Sequence, residues 1–370
     1  MVVREIQHIL ESWAPKQLAW TRDNVGLQLG SPNQKVRKIL VTLDVTPEVE
    51  HEAHRKRIDL IVSHHPLIFH PLSSIDGTTR KGRMILDLAQ HRISVLSAHT
   101  NLDFTYQGVS AVLSELLSLE DVSVLLKRDD VYKKIIIFVP TDYAERIMVA
   151  MANAGAGQIG KYELCSFQAQ GTGTFKAMKG AKPFTGKIGK AEKVSETRLE
   201  MIVPTWKLVQ VLTAMRATHP YEEVAYDVYD LSNESPHYGA GAIGELRSEI
   251  TLKKFLEYLK LRLGTPALRY TGNPKSKIKR VAVCGGSGSD LLPAAISQKA
   301  DVFVTADCKY HTFQDAEGSI SLVDAGHFET EQPVVAKLVN HLKKQVVARR
   351  EDTQVFAARF SRSPVQYYLS

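Results

Sequence analysis

Cysteine is scarce in this chain, and the three present (Cys165, Cys284 and Cys308) are widely spaced and form no Cys-x-x-Cys pair. That argues against a disulfide framework and against a thiolate zinc cluster, and it fits a reducing, cytoplasmic compartment. Long hydrophobic runs are missing too: none approaches the roughly 20 residues a membrane-crossing helix needs, so no membrane partner is expected. The opening stretch "MVVREIQHILESWAP" lacks the basic, apolar, small-residue order of a signal peptide and reads as an amphipathic helix. There is no Gly-Lys-Ser/Thr of a Walker loop. Basic residues are in excess, giving a formal net charge of +7, but Lys176 to Lys193 and Lys275 to Arg280 do not interleave with aromatics as nucleic-acid motifs do. Solvated loops and helix faces account for this excess better than a nucleic-acid interface does. A small anionic or nucleotide-like ligand remains compatible with it.

What is present is an α/β chain of 370 residues, long enough for two or three domains. In the first part, "VRKILVTLDV", "IDLIVS" and "ISVLSA" read as buried strands with helices between them, the first helix announced by Thr46-Pro47-Glu48. The last third repeats the plan with "IKRVAVCGG", "DVFVTAD" and "ISLVDAGH", followed by a helix from about Thr330 to Lys344. Asp59–Ser63 matches Asp301–Thr305, and Ile93–Leu96 matches Ile320–Val323, in the same order. Two related α/β halves forming one domain are therefore expected, covering residues 1–127 and 237–370. Between them, residues 128–236 carry a second repeat: "FVPTDYAERIMVAM" and "IVPTWKLVQVLTAM", each strand, proline break and helix, followed by the strands "KYELCSF" and "EVAYDVY". Two β-α-β units in tandem predict a ferredoxin-like α+β insert, with Gly171 to Lys190 as a long loop.

In an open α/β sheet, ligands bind beyond the carboxyl ends of the strands. Here those ends carry His64-His65 of "SHHP", "HTNLD" (His99 to Asp103) and "DAGHFETE" (Asp324 to Glu331). Imidazole and carboxylate donors without thiolate suit zinc, iron, manganese, cobalt or nickel in an open site. Adjacent histidines in extended backbone point to opposite sides, so His64 and His65 are expected to serve two ions rather than one. With Asp103 as the bridge and His327 and Glu331 completing the shells, the prediction is two divalent metal ions per subunit, spaced at roughly 3.5–4 Å. His99 and Lys309 are candidate acid–base groups near them. The turn "CGGSGSDLL" offers Gly286, Ser287 and Gly288 as an anion cradle, and His311 is a candidate substrate contact. "GAGAIG" (Gly239 to Gly244) matches the dinucleotide pattern but follows a polar loop instead of a strand, and is set aside.

Taken in order, "DNVGLQLG", "SHHP", "HTNLD", "TADCKYH" and "DAGHFETE" resemble the NIF-three-like family, whose members are often labelled GTP cyclohydrolase 1 type 2 homologues. The middle region, marked by "HPYEE", resembles the PII/CutA-like domain inserted in the longer bacterial members. The resemblance implies a dinuclear centre on His64, His65, Asp103, His327 and Glu331, with His99 close by, in a toroidal homohexamer. It further implies a metal-dependent hydrolase acting on a nucleotide-like substrate; a metal-binding regulatory or scaffolding protein, whose insert senses a small ligand without turnover, is the alternative. Ala306 stands where the family's motif commonly has glycine, which bears on the role of Asp307.

Overall fold

The computed structural model describes Met1 to Tyr368. The chain folds into two compact units: one from Met1–Lys127 together with the chain from Pro236 on, the other from Arg128–Ser235.

The larger unit contains two sheets. In the first, the order is Gly26–Leu29, Ser94–Ser97, Leu60–Ser63, Lys38–Thr42, Gln354–Ala357; all neighbours are parallel except Gly26–Leu29. In the second, the order is Arg269–Thr271, Ser321–Asp324, Val302–Thr305, Lys277–Val283, Gly239–Thr251, Glu120–Lys127; the two pairings made by Val302–Thr305 are parallel and the other three antiparallel. Each sheet thus shows the same sequence of one antiparallel strand, then three parallel strands with helices between them.

The matched segments explain themselves at this level. Asp59 Oδ2 accepts hydrogen bonds from the backbone N–H groups of Arg37 and Lys38, at 2.8 and 2.9 Å. Asp301 Oδ2 does the same for Lys279 and Arg280, at 2.8 and 2.7 Å. In both sheets an aspartate just before the second parallel strand ties down the start of the first, satisfying backbone donors that the ladder leaves free. Both faces of each sheet are covered, as parallel strands require. Ile39, Val41, Leu60 and Val62 pack against the helices Val3–Trp13 and Pro333–Ala348, while Leu40, Ile61 and Val95 pack against Pro47–Lys56 and Arg80–Gln90. Thr46 caps its helix as expected, its hydroxyl accepting from the Val49 N–H, with Pro47 in the first turn.

The sequence halves do not map one to one onto the sheets. Glu120–Lys127 joins the second sheet, and Gln354–Ala357 returns to the first. The final helix divides into His327–Glu331 and Pro333–Ala348, with proline opening the longer piece. "GAGAIG" lies inside the long strand Gly239–Thr251, so it makes no strand-to-helix phosphate turn.

The smaller unit has a four-stranded antiparallel sheet in the order Phe167–Lys176, Ala191–Pro204, Tyr132–Pro140, Tyr226–Leu231. Helices Ala144–Asn153 and Leu208–Thr218 share one core with Ile135, Ile137, Val139, Leu199, Met201 and Val203. Alternate residues of two neighbouring strands therefore face both helices. The strand expected at "KYELCSF" begins only at Phe167 and continues to Lys176, through glycines that sequence reasoning assigned to a loop. Its partner Ala191–Pro204 supplies a continuous ladder there, and Thr172, Thr174 and Phe175 have the β propensity to use it.

Removing one of the tying carboxylates tests this account. Asp301→Ala should lower unfolding free energy by about 1–3 kcal/mol, the range for buried backbone donors left unpaired. The measurement is the midpoint of a denaturant unfolding curve; an unchanged midpoint would contradict it.

Candidate metal centre

The strand Leu60–Ser63 stops one residue before the histidine pair, and the backbone bends at His64 and His65. Ser63 Oγ holds this bend by donating to the His65 carbonyl at 2.8 Å. The expectation that the two rings point apart is therefore wrong: extended geometry ends at Ser63, and the ring centroids lie 5.1 Å from each other. His99 approaches both, at 5.3 and 5.6 Å between centroids, from the start of the short helix Thr100–Asp103. His327 comes from the second sheet's end and lies 5.2 Å from His65. Ligand atoms of His64, His65 and His99 lie within 4.8 Å of one another, and so do those of His65, His327 and Glu331.

All four imidazoles are held by the same device. Each presents Nδ1 to an acceptor outside the cluster: His64 to the Ala98 carbonyl at 2.8 Å, His65 to Asp44 at 2.8 Å, His99 to Asp23 at 2.9 Å and His327 to Asp307 at 2.7 Å. A carbonyl or carboxylate oxygen can only accept, so each Nδ1 donates and Nε2 is left available inward. This is the arrangement by which outer carboxylates orient metal-binding histidines.

Glu331 is the group on which the inward atoms converge. Its carboxylate oxygens lie 3.8 Å from His64 Nε2, 2.9 Å from His65 Nε2 and 3.1 Å from His327 Nε2. Asp103 Oδ1 is 3.6 Å from His64 Nε2. His64 Nε2, Asp103 Oδ1 and Glu331 Oε2 are all buried and make no hydrogen bond. Buried polar atoms that face one another unsatisfied are costly unless a further group sits between them. A divalent cation suits these donors, because every inward nitrogen or oxygen offers a lone pair once its proton is given up. The residues fit such an ion.

The proton balance agrees. Burial opposes charge on His65, but Asp44 and Glu331 outweigh it and lift its pKa to about 10. For His327 burial is likewise outweighed, by Glu331 and Asp307, and the pKa reaches about 9. Burial and the neighbouring Glu331 raise Asp103 to about 6 against the pull of His64. Burial would raise Asp23 as well, yet His99 and Thr100 hold it at about 2. Without metal, protons supply the positive charge that the carboxylates demand. Cys284 is no competitor as a ligand, since burial, with help from Asp103, pushes its thiol up to about 12.

The remaining candidates fall elsewhere. The amides of Gly286 and Gly288 donate to the hydroxyls of Thr330 and Thr305, both at 3.0 Å, so they are not free to cradle an anion, and Ser287 between them is exposed. That expectation is corrected: the turn serves close approach. A Cβ built on Gly286, whose φ is +65°, would come within 1.9 Å of Glu331 Oε1. Lys309 is exposed ahead of the helix Tyr310–Ala316, and His311 Nδ1 bonds to Gln314 Oε1 at 2.9 Å instead of turning to the cluster. Asp307 takes the role nearest the centre, in a left-handed conformation with φ of 54°. Sequence reasoning missed Asp23 and Asp44 as supports. Asp44 follows a strand end like the ligands do, and Asp23 opens "DNVGLQLG", so both had a signal.

The Duf34/NIF3 (NGG1p interacting factor 3) profile matches residues 1–364. The chain belongs to this family. Relatives called "GTP cyclohydrolase 1 type 2 homolog" include the Bacillus subtilis protein, 41% identical over 327 residues and 88% of each chain, and the Halalkalibacterium halodurans protein, 38% identical over 97% of each. Among solved structures, a Bacillus cereus protein related to NIF3 superposes with a TM-score of 0.87 at 38% identity, covering 100% of this chain and 99% of that one. The NIF3 chain described here has, among its described residues, no helix long and apolar enough to cross a membrane.

Two outcomes follow from this geometry. Gly286→Ala should displace Glu331 and weaken Zn²⁺ binding by about 10–100-fold, the range for disturbed metal-site supports, while circular dichroism stays native; undiminished affinity would contradict the close-approach role. Because His65 and His327 are protonated below about 10 and about 9, an entering cation displaces protons. Zn²⁺ affinity should therefore rise between about pH 6 and about pH 8 with proton release seen by calorimetry in buffers of different ionisation heat.

Proposed function

We propose that this NIF3 protein is a metal-dependent hydrolase with a dinuclear centre, acting on a nucleotide-like or other small anionic substrate. The observation that supports the reading best is the convergence of three oriented imidazoles on Glu331, with the equally braced His99 alongside and buried donor atoms that have no partner. His64, His65, Asp103, His327 and Glu331 are the proposed ligands. Glu331 is a better candidate for the bridging carboxylate than Asp103, because it faces three histidines. The donor set of nitrogen and oxygen suits zinc first, with iron, manganese, cobalt or nickel as alternatives. Two such ions, when bound, lower the pKa of a water towards neutrality and polarise the bond it attacks.

The protein's own part is orientation and proton handling. Asp44, Asp23, Asp307 and the Ala98 carbonyl fix the imidazoles before any ligand arrives, so little reorganisation is needed. His99, braced by Asp23, is the proposed proton carrier at the rim, with the ring of Phe69 edge-on at 5.9 Å as an apolar neighbour for a substrate base. Lys309 is less well supported in that role, being exposed without a contact to the centre. The name of the relatives points to GTP, whose ring opening needs attack by water on the imidazole carbon of guanine and a proton for the departing nitrogen. The larger unit is read as one metal-binding domain in two halves, 1–127 and 237–370, in a homohexamer working in the cytoplasm.

A regulatory role without turnover has an observation of its own. We read residues 128–236 as a ferredoxin-like, PII/CutA-like insert, a reading that the four-stranded antiparallel sheet and two helices of Arg128–Ser235 support. This unit holds a cavity of about 420 Å³ lined by Phe138, Phe184, Tyr221 and Glu196. Tyr221 donates to Glu196 at 3.0 Å within it. A small ligand sensed there would make the insert an effector site.

The leading reading is tested with purified, zinc-loaded protein assayed on GTP and a nucleotide panel. His64→Ala and Glu331→Gln should each lower kcat/KM by at least about a hundredfold, ligand loss costing more than loss of an outer support. Turnover equal to wild type in these variants would sink the hydrolase reading. Absence of turnover on the whole panel, with two metals retained, would favour the regulatory one.

A further inference from the structure

A second group of metal-ligating side chains lies on two helices on the other face of the first sheet. Helix Pro47–Lys56 carries Glu50 and His54; helix Arg80–Gln90 carries Asp87, with His91 at its C-cap. Each helix therefore contributes a carboxylate and, four residues later, an imidazole, so both pairs stand on one face of their helix. The two helices pack together over the core of Val49, Ala53, Met84, Ile85 and Leu88. That packing brings the pairs face to face.

The geometry within the group is not that of an ordinary surface ion pair. His54 Nε2 and Asp87 Oδ2 are 2.9 Å apart, yet both atoms are buried and neither makes a hydrogen bond. His91 stacks beside His54 with 4.1 Å between ring centroids, too close for two imidazolium ions to be comfortable. His91 Nδ1 donates to the Asp87 carbonyl at 2.9 Å and lies 3.5 Å from Asp87 Oδ1, which holds this ring edge against the carboxylate. Ligand atoms from His54, Asp87 and His91 all lie within 4.8 Å of one another. Glu50 lines the same groove as His54 and Asp87 and adds a fourth donor beside them. Close donors and a buried nitrogen and oxygen without partners are features found around Glu331 as well.

We propose that His54, Asp87 and His91, with Glu50 beside them, form a separate mononuclear site for a divalent transition metal such as Zn²⁺ or Co²⁺. The two imidazoles with Asp87 and Glu50 give the four-coordinate nitrogen and oxygen set that these ions take. None of the ligands belongs to the dinuclear centre, so the site stands whether or not that centre turns over substrate. One side of it is open: Glu50, His54 and Asp87 line a groove with His51, Arg80 and Arg83, and His91 is exposed. The site is thus built as one that exchanges its ion with solvent.

The test is metal stoichiometry and affinity on the full-length, metal-stripped protein, with Co²⁺ and then Zn²⁺ as probes. Glu331→Gln, which damages the dinuclear centre, should keep one bound equivalent. His54→Ala and His91→Ala should each lose that equivalent or weaken it at least tenfold, while the ions of the dinuclear centre remain. His91 is at the surface, so its variant should fold normally even if His54→Ala does not. In the Glu331→Gln background, bound Co²⁺ should broaden the ring resonances of His54 and His91. The proposal is overturned if Glu331→Gln abolishes all binding, or if His91→Ala binds as many ions as wild type with equal affinity.

Discussion

Glu331 is a buried carboxylate facing three imidazole nitrogens, at 3.8, 2.9 and 3.1 Å, and much of the larger unit is arranged to make that charge tolerable. A carboxylate out of water demands positive charge nearby or it takes up a proton. Burial alone would raise its pKa, yet the histidines around it hold it well below the usual range. Those histidines are in turn held by carboxylates behind them. The result is a layered arrangement in which charge alternates outward from Glu331 through imidazole to Asp44 and Asp307. Each layer is stable only because the next one is present.

Both sheets supply the layers. His64, His65, His99, Asp44 and Asp23 belong to the first sheet's strand ends and loops; His327, Glu331 and Asp307 belong to the second's. Their meeting depends on turns that sit close to the carboxylate, above all Gly286, whose lack of a side chain leaves space for Glu331. Exchange of edge strands between the halves, with Gln354–Ala357 on the first sheet and Glu120–Lys127 on the second, fastens the two sheets into one body. A site shared between sheets needs that fastening, because a small shift would separate donors that must stay within a few tenths of an ångström.

The strands and the inward-facing residues were legible from the chain because both follow local rules. Apolar runs gave the parallel strands, and the rule that ligands gather beyond their carboxyl ends singled out His64, His65, His99, Asp103, His327 and Glu331. What stayed hidden involved contacts between distant segments. Asp23 reaches His99 across most of the first half, and no period or spacing encodes that. The direction of the His64 and His65 rings could not be read either, because it depends on where the strand stops, and Ser63 rather than His65 is its last residue. His54 was read as part of a polar helix face, which is correct for one helix taken alone; the partner on the neighbouring helix is what changes its meaning. The glycine turn was correctly located between strand and helix, but its amides find hydroxyls of the protein.

The smaller unit leaves and re-enters the larger one between two strands that are already paired, Lys127 lying opposite Gly239 in the register. Its own ends are joined as well, by a hydrogen bond of 2.8 Å from the Ser235 N–H to the Arg128 carbonyl. To the larger unit, the whole of Arg128–Ser235 is therefore equivalent to the loop of a β-hairpin. The entropy of closing a loop grows only with the logarithm of its length, and a folded insert with adjacent ends closes it almost as a tight turn would. A chain of this fold can gain, lose or exchange such a unit without shifting the register of a single strand around the histidine–glutamate cluster.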